Sequence, residues 1–121
     1  MKLITMTVNG KRVEFVCDSR NTRHGFAHDA SMFVDGRHES KGHCYYLNRT
    51  WESWTYQSAC LTAANNAESY WTDRLLQAFK WTHGIKRMTA KRREEFEKEL
   101  NENEDIKLYR AIIDDLRKNS Y

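Results

Sequence analysis

The chain has no proline, so no residue in it forbids a helix from running on through its own interior. It has no run of about 18 apolar residues either, which excludes a helix able to cross a bilayer. Met1 to Val8 is short, polar at alternate positions and without the apolar stretch of a secretory signal. A cytoplasmic protein with no membrane partner is expected. Cysteine is scarce and odd in number: Cys17, Cys44 and Cys60 never form a Cys-x-x-Cys pair. That spacing signals neither a disulfide framework nor a zinc knuckle, and buried free thiols are expected instead. Asn48-Arg49-Thr50 matches a glycosylation acceptor, but that chemistry needs a secreted chain. Repeats, linkers and low-complexity segments are missing, and Ser, His and Asp nowhere form a nucleophile elbow or an ordered triad. A non-enzyme without a cofactor is expected.

The composition can build a core. Of 121 residues 40% are hydrophobic against 31% charged, and Trp51, Trp54, Trp71 and Trp81 add large apolar area, so one domain over residues 1–121 is expected. Its first half, 1–48, reads as an antiparallel meander of about four strands. Asn9-Gly10 joins alternating segments, and a two-residue loop there sets Met6 opposite Val13 and Ile4 opposite Phe15, all on one face. Asp35-Gly36 marks a second hairpin between Phe26–Val34 and His38–Leu47. A three-residue loop with a bulge is expected, setting Phe26, His28, Ala30, Met32 and Val34 on the face of Cys44 and Tyr46, with His28 opposite Cys44. Asp18 to Gly25, polar with a terminal glycine, reads as an exposed loop.

From about Thr50 the period changes. Cys60, Ala64, Ala67, Trp71, Leu75 and Phe79 recur at helical spacing, with Asn48 or Thr50 as the N-cap, a possible break at Asn65-Asn66, and His83-Gly84 at the end. Thr89 then caps a charged helix carrying Phe96 and Leu100, and a last helix buries Ile106, Tyr109, Ile113 and Leu116. The fold class expected is α+β, with residues 50–121 supplying a long helix and two C-terminal helices.

Chemistry has few candidates. Cys17, His24, His28, His38, His43 and Cys44 all lie in the strand half, but a structural zinc site needs about four converging ligands and only His28 and Cys44 pair, so no metal is expected. A metal-dependent nuclease would recruit Asp18, Asp29 and Glu39 with those histidines, though no spacing demands it.

Charge is more informative. The net +3 conceals two blocks: Lys86, Arg87, Lys91, Arg92 and Arg93 without an acid among them, then Glu94, Glu95, Glu97, Glu99, Glu102, Glu104 and Asp105 against Lys98 alone. The basic block can neutralise phosphates, with Trp81 as a stacking platform, or it can be a solvated face pairing Lys91 with Glu95. The acidic block is a solvated face or a surface that presents carboxylates to a basic groove. Arg20 and Arg23 in the polar connection add to the cations.

Tyr45 to Ser58 crosses from strand to helix. Arg49 and Glu52 can lock that junction while its aromatics fasten helix to sheet, and Arg49, Trp51 and Trp54 are residue types enriched at interface hot spots. Together with Asn21-Thr22-Arg23-His24-Gly25-Phe26-Ala27-His28, the segment resembles small proteins encoded by phages and other mobile elements of Gram-positive bacteria, a class that includes anti-CRISPR proteins. The likeness covers roughly residues 3–60. It implies a non-enzymatic inhibitor in a bacterial cytoplasm that binds a host defence nucleoprotein, such as a type II CRISPR effector with its guide RNA, over its nucleic-acid-facing surface. The competing expectations are a phage DNA- or RNA-binding regulator and, third, the metal-dependent nuclease.

Overall fold

Two dipeptides that accept positive φ set the sheet. The computed structural model describes residues 1–46 and 55–119. Strands β1 (Lys2–Val8) and β2 (Lys11–Thr22) meet at Asn9-Gly10, whose φ values of 50° and 76° are those of a type I′ turn. The register follows, with Met6 opposite Val13 and Ile4 opposite Phe15. Strands β3 (Gly25–Val34) and β4 (Arg37–Tyr46) turn at Asp35-Gly36 in the same way, with φ of 48° and 82°. All four strands are antiparallel and lie in the order β1-β2-β3-β4.

Two expectations about this sheet need correction. The loop after β3 holds two residues rather than three, since Val34 faces Arg37, and the irregularity sits further along β4, where Glu39 is left out of the ladder between His38 and Ser40. That shift restores the pairing of His28 with Cys44. Glu39 gains by it: its side chain is only 6% exposed, ion-paired to Arg37 at 2.9 Å and accepting from the Tyr109 hydroxyl at 3.1 Å. Asp18 to Thr22, expected in a loop, continue β2, so Arg23-His24 alone make the turn into β3. Polar residues are at home there because one sheet face has none of the described helices packed on it. Arg20 lies on that face and bonds Asp29 and Tyr45, while Ser19 points the other way to the Tyr56 hydroxyl at 3.0 Å.

Three helices follow: α1 (Gln57–His83), α2 (Ala90–Glu102) and α3 (Glu104–Lys118). The fold is α+β. Helix α1 starts at Gln57 behind Tyr56, which makes no side-chain cap, and the expected caps Asn48 and Thr50 lie outside the described residues. It runs unbroken past Asn65-Asn66, where Asn66 donates to the Lys41 carbonyl at 2.8 Å. Small residues let it lie close to the sheet: Ala59, Ala63, Ala64 and Ala67 are buried, and a Cβ on Gly42 of β4 would fall on the backbone of Ala59 and Ala63. Thr89 caps α2 by accepting from the Arg92 N–H at 3.3 Å, and Asn103 caps α3 through Asp105 and Ile106. Helix α3 then buries Ile106, Leu108, Tyr109, Ile112, Ile113 and Leu116 into a core shared with Phe15, Met32 and α1. Each such side chain contributes about 1.5–3 kcal/mol. Among the described residues no helix is long and apolar enough to cross a membrane.

Candidate interaction surface

The cysteines and histidines are dispersed by the sheet. Cys17 and Cys60 are fully buried between β2 and α1 with their sulfurs 3.7 Å apart. The hydrogen bond to Cys17, reinforced by burial, keeps Cys60 a thiol. His28 is 1% exposed, its ring 4.4 Å from that of Tyr56 and in contact with Phe26 and Tyr46, and its Nδ1 has no hydrogen-bond partner among the described residues. Burial pushes its pKa down, against a hydrogen bond at the Thr55 backbone. His24, His38 and His43 are exposed, with His38 edge-on to Phe33. Among the described residues no three His, Cys, Asp or Glu side chains form a group that could hold a metal ion.

The nuclease set comes nearest to assembly on the sheet face away from the described helices, where Asp18 faces Asp29 and Asp29 faces His43 across three strands. An arginine occupies that row. Arg20 Nε donates to Asp29 at 2.9 Å, and its guanidinium lies 5.6 Å from the Tyr45 ring centre while also bonding the Tyr45 hydroxyl at 3.2 Å. Burial acts to raise the Asp29 pKa, but hydrogen bonds from His43 and Arg20 outweigh it and hold the carboxylate ionised. Asp18 turns to the Ser19 N–H, and Glu39 is held by Arg37 and Tyr109. Arg20 is thus a strand residue engaged in its own sheet, whereas Arg23 is exposed in a turn. Arg49, Trp51 and Trp54 lie outside the described residues.

The charge blocks fall on α2 and its approaches. Lys86 and Arg87 are exposed in the connection from α1, and Lys91, Arg92 and Arg93 open α2. Glu94, Glu97, Glu99 and Glu102 are exposed further along the same helix, where only Phe96 and Leu100 are buried. The pair formed is Arg92 with Glu95 at 2.9 Å, not Lys91 with Glu95. Glu104 and Asp105 belong to the first turn of α3, whose last turn carries Arg117 and Lys118.

These two helices treat the helix dipole in opposite ways. The N-terminus of a helix is positive and its C-terminus negative, so acids first and bases last is stabilising, by about 0.3–1 kcal/mol per charge at the surface. Helix α3 obeys. Helix α2 has no acid in its first turn and no base in its last, and places its charges the other way round. An exposed helix that opposes its own dipole at both ends is locally unfavourable, and such violations concentrate where a surface serves something other than stability.

The sequence reading singled out Trp81 on the exposed side of α1 but missed Tyr70 and Arg74. Trp81 is 89% and Tyr70 54% exposed, and Arg74 sits over the rings of Tyr70 and Trp71 at 5.5 and 5.9 Å. The signal was available, since Tyr70 falls off the apolar stripe that contains Ala67, Trp71 and Phe79. Comparison with protein-family models, curated proteins and solved structures finds no match to this chain.

Proposed function

We propose that the chain is a non-catalytic docking protein of a mobile element that binds a host defence nucleoprotein, with a guide-loaded type II CRISPR effector as the leading candidate. The observation that supports this reading is the reversed, bipolar charge of α2. A free nucleic acid presents one sign, and carboxylates one to three turns from the cations would repel its phosphates. A nucleoprotein presents both signs side by side, phosphates next to the basic channel that holds them, and a helix with bases at one end and acids at the other matches that alternation.

The test is association with the effector. Replacing Glu94, Glu97, Glu99 and Glu102 with Gln is expected to slow association, with smaller change in dissociation, because complementary charge acts mainly on encounter. Reversing Lys86, Arg87, Lys91 and Arg93 is expected to weaken binding to the guide-loaded complex more than to the guide-free protein. Circular dichroism of each variant reports whether the helices are kept. A second reading, a phage DNA- or RNA-binding regulator, is favoured by the exposed basic block alone. Tight, salt-sensitive binding to bare duplex or RNA, with no effect on any defence complex, would establish it and remove the first.

A further inference from the structure

The end of α1 is built as a shelf. Gly84, at φ 62°, takes the left-handed position, its N–H bonding the Trp81 carbonyl at 3.3 Å while the Ile85 N–H reaches back to Lys80 at 2.8 Å. This helix stop folds the chain back along the last turn. Lys86 is thereby set beside Gln77, Lys80, Trp81, Gly84 and Ile85, and together they line an open depression of about 590 Å³. Its rim holds two lysines and no carboxylate. Lys80, Lys86 and the neighbouring Arg87 take part in no ion pair among the described residues.

Trp81 stands out from this shelf with 89% of its surface in water, while Phe79 two residues earlier is buried. An indole left in solvent forgoes a large apolar burial that a partner can supply. What covers it is decided by its surroundings. A tryptophan that anchors a protein interface is ringed by residues that exclude water. Here Ile85 alone is apolar beside it, half-buried, and the rest of the shelf is amide and ammonium. An aromatic plane flanked by unpaired cations is the recurrent arrangement for an unpaired base and its phosphates.

We infer that Trp81, with Lys80, Lys86 and Arg87, is a stacking site for an unpaired base of a single-stranded nucleic acid. The site rests on the reading above in that it gives the docking protein a direct contact with the nucleic acid of its target. A base stacks on the indole, the three cations meet the adjoining phosphates, and the Gln77 amide offers the shelf a neutral donor and acceptor. A duplex keeps its base faces stacked internally and offers the indole nothing. Ribose and deoxyribose strands share this chemistry.

The test uses the full chain and labelled ten-nucleotide oligouridylate and oligothymidylate, a ten-base-pair duplex, and a ten-unit abasic strand that keeps the phosphates without bases. Single strands are expected to quench tryptophan fluorescence and to bind about tenfold or more tightly than to Trp81→Ala, with Trp81→Phe close to the parent. The abasic strand is expected to bind parent and Trp81→Ala alike. Replacing Lys80, Lys86 and Arg87 with Gln is expected to flatten the salt dependence while leaving a base-dependent component. The two single strands tell RNA from DNA preference. Equal binding of base-bearing and abasic strands, or Trp81→Ala binding like the parent, overturns the inference. So does a Trp81→Ala defect confined to guide-free effector, which would make Trp81 a protein contact. Loss of nucleoprotein association in the Glu94, Glu97, Glu99 and Glu102 variant, which leaves Lys80, Lys86 and Arg87 in place, with intact oligonucleotide binding bears on the docking surface alone, so the two proposals fail separately.

Discussion

At His28 and Gly42 the core leaves little room for change, for a polar reason at one and a steric reason at the other. Because burial lowers the His28 pKa, the folded protein binds fewer protons than the unfolded chain once pH falls below the ordinary imidazole value of about 6.5. Stability is therefore fully present above that value and is lost as pH drops from it toward the lowered folded pKa. Asp29, held below its usual range, acts in the same direction but only in the carboxylate window near pH 4 and below. A series of urea midpoints between pH 7.5 and 5 is expected to fall for the parent and to stay flat for His28→Phe. A parent curve as flat as the variant would refute the assignment. At Gly42 the argument is steric: a methyl group there meets helix backbone, which has no flexible end to move aside. Gly42→Ala is expected to destabilise by at least about 1–3 kcal/mol, the usual cost of overpacking, read from the denaturant midpoint.

At the scale of elements, α2 sets stability against binding. Exchanging its termini, with Lys91 and Arg93 made Glu and Glu99 and Glu102 made Lys, restores agreement with the dipole. It is expected to raise the thermal midpoint by a few degrees while abolishing partner association. A variant that binds as before would show that the charge order is incidental. The same scale shows why parts of the fold were legible and others not. Asn9-Gly10 announced its turn because two adjacent positive φ values suit few other dipeptides, and the α3 stripe was readable because its packing is periodic. Asp18 to Thr22 read as a loop because their polarity hides the backbone pairing with Gly25 to Asp29 that makes them a strand, and the side chains that hold Arg20, those of Asp29 and Tyr45, come from two other strands. The place of the irregularity in β4 was hidden for a like reason, since the Tyr109 hydroxyl that donates to Glu39 inside the fold lies 70 residues away. The charge blocks of the candidate surface are contiguous in sequence and were visible at once. Their reversed order became meaningful only with the helix bounds, and the shelf under Trp81 only with the fold-back at Gly84.

Over the whole molecule, one sheet face carries the core under α1 and α3, while the other bears none of the described helices and is crossed by the Arg20–Asp29–His43 row. The bipolar helix α2 is attached to this body by Phe96 and Leu100. The meander beneath has a kinetic consequence. Every strand pairs with its immediate neighbour in the chain through a two-residue turn, so each hairpin closes a minimal loop and the entropy lost before the next contact forms is small. The sheet can grow one hairpin at a time, faster than topologies in which distant strands must first find each other. No prolyl bond exists to isomerise, which removes the commonest source of refolding phases lasting tens of seconds. Stopped-flow dilution from urea is accordingly expected to show the full amplitude recovered on the millisecond-to-second scale of mixed α/β domains. A dominant phase of a minute or more would mean that docking α1 against Gly42, rather than building the sheet, limits the rate.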